Sequence, residues 1–464
     1  DLIGKIEEIW QKKIMEFEFS KEFLDRFKLA LNDRDAVYIQ NSLEGVRSAD
    51  ICEILTEIGI EYGKYVFDIL SPDIAADILV ELEEDFRVEF MEYFSINELA
   101  HFIEILDSDD GADILNEMSF QLREEILEQI NNKEKAGHLL DLIRYDEDVA
   151  GGLMAKELVK ARENWSVKRC IEEIKIQAEH IEKIYSVYVV DQQDRLKGRV
   201  SLKRILLAKD DKKVAEIFEE NIISVGTFLE GQEVANIMQK YDLDAVPVVN
   251  VRGKLVGRIT IDDVVDVITE SAEEERQLMS GVTSDVEEDD GVWVISKARL
   301  PWLIIGMTGG LIAAQIADYY SGTLNVIARL SLFIPLIMAT GGNVGIQSSA
   351  IVIQSLAGKN GFNDTLGNRL LKMFYVAMVN GSILSLMVFG AILLLFKDQL
   401  LAVTASIALL NVVLLSSFMG TITPLLLDRF GVNPAIASGP FITTANDLLG
   451  LTVYFSIAVF LYHL

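Results

Sequence analysis

Cysteine and histidine are scarce, two and four in 464 residues. They form no cluster with metal-ligand spacing, so nothing in the chain argues for a zinc or copper centre. Cys52 and Cys170 fall in predicted helices and read as buried, reduced thiols of a cytoplasmic protein. No nucleophile–base pair and no phosphate-cradling loop is recognisable, and no enzyme is expected. No signal peptide precedes the charged half, which is expected to stay in the cytoplasm. Glutamate is absent from residues 297–464, which carry eight Lys/Arg and five Asp. The preceding residues hold 34 basic and 67 acidic groups. An acidic soluble half is therefore followed by an apolar half. A surface this acidic repels nucleic acid and attracts cations.

Residues 1–135 read as an acidic, all-α N domain of solenoid-like helix pairs. Ala76-Asp77-Ile78-Leu79 recurs as Ala112-Asp113-Ile114-Leu115, and Arg87 recurs as Arg123, at an offset of 36 residues. Such a period indicates stacked helix pairs. Ser71-Pro72-Asp73 and Asp107-Ser108-Asp109 supply helix-starting chemistry at equivalent places. Asp107, Asp109, Asp110 and Asp113 crowd one helix start. Macrodipole complementarity explains some of them. Together they also make a Mg²⁺ or Ca²⁺ patch, but not an EF-hand loop.

Residues 136–262 alternate strands with helices, and a second repeat stands out. SVYVVDQQDRLKGRVS (186–201) matches AVPVVNVRGKLVGRIT (245–260) at an offset of 59 residues. Each copy is a strand, a polar turn, a second strand with glycine, then a hydroxyl residue opening a helix. The pair resembles tandem cystathionine-β-synthase-type (CBS) domains, of α/β fold. That resemblance implies an adenine nucleotide, ATP or another, with Thr260 and Asp263 at its ribose. In the first copy Ser201 is followed by Arg204 instead. Tyr188 is placed either to stack on a base or in the core.

Residues 263–296 read as a connecting helix and an acidic linker before the membrane. Spacings of three and four put Asp263, Asp266, Glu270 and Glu274 on one helical face. Like charges so placed repel, and divalent ions would relieve them; a solvated face is the alternative.

Residues 297–464 form a membrane domain of five α-helical spans, about Leu300–Ala317, Leu324–Leu356, Leu370–Phe396, Leu400–Leu427 and Ala435–Tyr462. Lys297, Arg299, Lys359, Arg369, Lys372 and Arg429 flank the inner side, which places the N-terminus in the cytoplasm and the C-terminus outside. The second span contains Pro335 and TGGNVGIQ (340–347), and the fifth contains Gly439-Pro440 and Gly450. Both are expected to be interrupted helices that line a wet pathway. The fifth holds one charge, Asp447, and no basic residue. If its helix starts near Ile436, Asp447 lies about 17 Å along, close to mid-bilayer. A lone carboxylate there costs about 2.5–3.5 kcal/mol, which a passing cation would offset.

Pro335 with ATGGNVGIQ (339–347), and Pro434-Ala435, Ser438-Gly439-Pro440-Phe441, Thr444, Asp447 and Gly450, resemble the MgtE family of magnesium transporters or channels. The resemblance extends over the order of all four parts. It implies a homodimer of the plasma (inner) membrane, with one pore lined by spans two and five. It also implies that Asp447 and its symmetry mate bind hydrated Mg²⁺, while cytosolic Mg²⁺ shuts the pore through the connecting ("plug") helix. Sensor candidates by motif are Asp109, Asp113, Asp242, Asp263 and Asp266. Asn433 departs from the family's Asp and removes a charge near the inner mouth. Thr443, Thr444, Asn343 and Gln347, with carbonyls at the helix breaks, are candidates to hold the ion's waters. Two rivals are a cation-coupled secondary transporter of divalent metals and a membrane-anchored nucleotide sensor.

Overall fold

The computed structural model describes residues 20–181, 183–283, 286, 290–320, 328–357, 366–437 and 439–463. The expected start of the second span at Leu324, the loop around Lys359 and much of the acidic linker lie outside these residues. The chain forms two compact units, Asp1–Ile268 and Thr269–Leu464. The division falls within one helix, Ile261–Ser280.

The first unit begins with ten described helices, from α1 (Lys21–Asn32) to α10 (Lys133–Leu142). The 36-residue repeat has a physical meaning here. Arg87 donates to the carbonyls of Leu79, Val80 and Leu82 at 3.2, 2.8 and 2.8 Å. Arg123 donates to those of Leu115 and Asn116 at 2.8 and 3.1 Å. Each arginine thus closes the carbonyl end of the helix before it, α5 (Pro72–Glu81) or α8 (Ser108–Asn116). Ala76, Ile78 and Leu79, and their copies Ala112, Ile114 and Leu115, are buried. The repeated spacing therefore carries both the core face and its cap.

Two small sheets follow. Strand β1 (Val159–Arg162) runs parallel to β2 (Val187–Val190), which pairs antiparallel with β3 (Leu196–Val200), and β4 (Glu219–Glu220) lies at the edge. In the second copy β5 (Val225–Gly226) is parallel to β6 (Ala245–Val249), which pairs antiparallel with β7 (Leu255–Thr260). Register shifts fall at Val189/Val190 and at Val248/Val249, one repeat length apart. Gly198 is required where it stands: a Cβ there would lie 1.9 Å from the Glu219 carbonyl oxygen. The second copy shares one hydrophobic core with the N-terminal helices, through Val246, Val248 and Ile259, whereas the first copy packs around its own.

Helix α14 (Ile261–Ser280) comes after α11 to α13 (Val167–Gln177, Leu202–Leu207 and Gly231–Tyr241). The second unit then holds five helices long and apolar enough to cross a membrane. These are α15 (Val292–Tyr319), α16 (Ile334–Ala357), α17 (Leu366–Phe396), α18 (Gln399–Arg429) and α19 (Pro440–Tyr462). Helix α18 is the most enclosed and packs against α16, α17 and α19.

Two expectations need correction. The Thr340–Gln347 stretch does not interrupt its span; α16 runs through it unbroken. Its glycines are notches instead. A Cβ on Gly345 would sit 1.9 Å from Asn446 Nδ2, and one on Gly420 would sit 2.4 Å from the Gly345 carbonyl oxygen. Close backbone approach is what small residues give in a membrane, where apolar burial supplies no drive between helices. The fifth span is broken only at its start. Pro434–Ala437 form one short turn, Gly439 takes a φ of +55°, and the α-helix begins at Pro440. Asp447 accordingly stands about 10 Å along α19, a third of the way rather than midway.

Candidate functional site

In the first unit, the start of α8 meets the segment that leads into the CBS pair. Ala155 and Arg258 exchange backbone hydrogen bonds of 2.8 and 2.9 Å, which fixes the following residues against β7. The Lys156 amide donates to Ser108 Oγ at 2.8 Å. Ser108 donates to Glu157 Oε2 through its amide at 3.1 Å and its hydroxyl at 2.6 Å. One carboxylate oxygen each from Asp107, Asp109 and Glu157 consequently lie within 4.8 Å of one another. Carboxylates so close suit a divalent cation with oxygen ligands.

Two cations border the group. Lys135 Nζ pairs with Glu157 Oε1 at 2.8 Å and also donates to the Leu106 carbonyl. Arg258 Nη2 lies 3.5 Å from Asp107 Oδ2. Burial alone would raise Glu157, but Lys135 and the Ser108 donors hold its carboxyl below the usual range. Burial and the charges of Asp110 and Asp263 push Asp109 well above it. Asp110 is driven up to about 7 by burial and by Asp107 and Asp263. Asp113 also rises to about 7, through burial, Asp110 and Glu147. Burial raises Asp263 although its Oδ2 accepts from the Thr260 amide and hydroxyl at 2.8 and 2.7 Å.

These groups make stability depend on pH. Asp110 and Asp113 have folded pKa values above the unfolded one, so their protons favour the fold. That contribution is complete below the ordinary carboxylate range and is lost as pH rises through about 7. Without divalent ions the melting temperature is expected to fall between about pH 5 and pH 8. Added Mg²⁺ should raise it more at the upper end, because bound metal displaces protons. A melting temperature that climbs over this range without metal would contradict the charge arrangement.

Sequence reasoning named Asp109, Asp113 and Asp263, which the fold brings into one field. Asp266 is exposed on α14, where partial burial and Asp262 raise its pKa. Glu270 and Glu274 are exposed further along α14, in the second unit. Asp242 is the exposed C-cap of α13, at a φ of +54°, and does not join the carboxylate group among the described residues. Glu157, Lys135 and Arg258 were missed. Nothing local marks them: the Ala155–Arg258 backbone pairing brings in Glu157 and Arg258, and the packing of α10 against α8 brings in Lys135.

A cavity of about 270 Å³ opens between the two CBS copies, lined by Tyr188, Arg199, Asn221, Ile223, Ala245 and Pro247 among others. Tyr188 belongs to it and is otherwise buried in its strand. Thr260 and Asp263 are bonded to each other as a helix cap and do not line it.

In the second unit, Asp447 is half-buried and forms no ion pair with a described residue. It sits where α19 crosses α16: a Cβ on Gly342 would be 3.2 Å from Thr443 Cγ2 and 3.8 Å from Asp447 Oδ1. Thr443 donates to the Gly439 carbonyl at 2.9 Å. Thr444 abuts α15, since a Cβ on Gly309 would be 2.0 Å from its Cγ2. Gly450 is buried near Val412 inside the helix. Asn343 and Gln347, one turn apart on α16, are exposed on the single chain. Ahead of α19, Gly281 and Gly439, both with positive φ, bring the two segments together. A Cβ on Gly439 would be 2.4 Å from the Met279 carbonyl oxygen, and one on Gly281 would be 2.6 Å from Pro440 Cγ. The end of α14 thus touches the start of the helix that carries Asp447.

Family models match three parts of the chain. That of MgtE, a divalent cation transporter, covers residues 334–457; that of the MgtE intracellular N domain covers 46–148; that of the CBS domain covers 148–211 and 214–270. The magnesium transporter MgtE of Enterococcus faecalis is 34% identical over 325 residues, 70% of this chain and 72% of that protein. The magnesium transporter MgtE of Thermus thermophilus is 31% identical over 445 residues, 92% of this chain and 96% of that protein. A crystal structure described as the cytosolic domain of the Mg²⁺ channel MgtE in complex with ATP is similar to 53% of this chain and covers 99% of its own. Its TM-score is 0.50 and its identity 32%.

Proposed function

The chain belongs to the MgtE family, and from that premise we propose that it is a Mg²⁺-selective channel or transporter, shut by Mg²⁺ on its cytoplasmic side. The observation that carries this reading is the placement of Asp447. A carboxylate without an ionic partner among the described residues, inside an apolar helix, stands where Gly342 leaves open space on the neighbouring helix. Mg²⁺ dehydrates reluctantly and prefers octahedral oxygen, so a few carboxylates that grip its waters suffice. The exposed Asn343 and Gln347 amides are too polar for lipid. They support a homodimer with this face at its centre, where two Asp447 carboxylates match one dication. Thr443 and Thr444 spend their hydroxyl and methyl groups on packing around the same helix start.

Closure is assigned to the acidic unit. Mg²⁺ at Asp107, Asp109 and Glu157, in the field of Asp113 and Asp263, relieves repulsion at the root of α14, and α14 ends against Gly439 and Pro440. Asp266, Glu270 and Glu274 on α14 are additional ion seats. Asp242 is a further candidate. The cavity at Tyr188 and Arg199 is assigned to an adenine nucleotide, with Thr260 and Asp263 capping their helix instead of holding the ribose. The N-terminus is placed in the cytoplasm and the C-terminus outside.

Reconstitution in vesicles tests the reading. Uptake is expected to follow the Mg²⁺ gradient, to ignore pH and Na⁺ gradients, and to fall when Mg²⁺ is raised on the side of the soluble unit. No uptake, or uptake indifferent to that Mg²⁺, refutes it.

A further inference from the structure

We propose that Arg258 is a built-in competitor for the regulatory cation, a guanidinium that occupies Asp107 until a divalent ion displaces it. The inference rests on the assignment of Asp107, Asp109 and Glu157 as an ion site. Arg258 is 6% exposed, yet it grips Asp107 loosely, through one contact of 3.5 Å rather than a two-pronged pair. Its Nε is buried with no partner among the described residues. Its other tethers lie elsewhere: Nη1 donates to the Lys183 carbonyl at 3.2 Å, and the guanidinium lies 5.1 Å from the Tyr185 ring centre. A charged group held this way has somewhere to rest when it leaves Asp107.

The charge balance gives the exchange its direction. Three carboxylates form the site, and Lys135 and Arg258 already neutralise two of their charges. Lys135 is anchored twice, at Glu157 and at the Leu106 carbonyl, so it stays. A dication bound at Asp107 would stand next to the guanidinium, and at this burial the repulsion between those like charges is large. Departure of Arg258 from Asp107 relieves it. The guanidinium therefore lowers the affinity for Mg²⁺ and keeps the empty site from flying apart, since it bridges the N-terminal helices to β7. An ion sensor of this kind responds only when free Mg²⁺ is high enough to win the exchange.

The test is calorimetric titration of Mg²⁺ into the full-length chain in detergent, as wild type, R258M, D107N and D107N/R258M. R258M keeps the side-chain volume and removes the charge. It is expected to bind Mg²⁺ about tenfold more tightly than wild type. In the D107N background the same change should give less than about a twofold gain, because the competition acts through Asp107. Unchanged or weaker binding in R258M overturns the proposal, as does a gain that persists undiminished with D107N. If R258M fails to fold, R258Q, which retains a donor for the Lys183 carbonyl, decides by the same criteria. Absence of saturable Mg²⁺ binding in the wild type would instead remove the site itself, and the competitor with it.

Discussion

Asp447→Asn is expected to reduce Mg²⁺ uptake by vesicles by at least about a hundredfold while leaving the protein folded. The magnitude follows from charge. In the proposed homodimer, neutralising both carboxylates removes the only formal charges α19 offers a dication, and a few kcal/mol of lost attraction corresponds to this factor. The side chain has no ionic partner among the described residues, so its amide analogue leaves no charge stranded. Thermal melting in detergent should therefore be unchanged or slightly higher. That pairing of outcomes separates an ion seat from a packing role, in which stability and uptake would fall together. Uptake preserved in the Asn variant would end the assignment of the pathway to α16 and α19.

Asp109→Asn is expected to have the second largest effect, and in two opposite directions. Asp109 is 9% exposed and faces Asp107, Asp110, Asp263 and Glu157. Removing its charge relieves repulsion, so the metal-free protein should melt higher. The same change removes a ligand, so the Mg²⁺ needed to halve uptake should rise by about tenfold or more, the usual scale for one oxyanion ligand of a dication. Measured together on one preparation, the two shifts identify a carboxylate that is retained for metal at the expense of the empty fold. A lower melting temperature without metal, or an unmoved closure point, would take Asp109 out of the sensor. Asp242→Asn serves as the comparison, because that exposed helix cap carries no such burden and its metal-free melting point should hardly move.

A large part of this arrangement is legible one segment at a time. Helical and strand periodicities, the two repeats and the runs of apolar residues are local properties, and each predicts an element correctly. The Arg87/Arg123 spacing marks equivalent places in the repeat, but the capping of the preceding helix's carbonyls, and the pairing of Arg87 with Glu117, belong to the fold. Glycine is less readable. In TGGNVGIQ it reads as a break, yet α16 passes through unbroken, and its glycines leave the room that Asn446, Ile442 and Val412 of the neighbouring helices occupy. A helix break and a packing notch share one composition, and only the partner helix tells them apart.

The chain by itself determined where the soluble and membrane parts lie, that the soluble part is acidic, and that one carboxylate stands alone in an apolar helix. These follow from hydrophobicity and charge counted along the backbone. The tertiary structure alone decided that Glu157 joins Asp107 and Asp109, that Arg258 lies beside Asp107, and that Gly342 faces Asp447. Those pairings join residues tens to more than a hundred positions apart. Each is set by the register in which two elements pack, a quantity to which no single stretch of sequence contributes more than half.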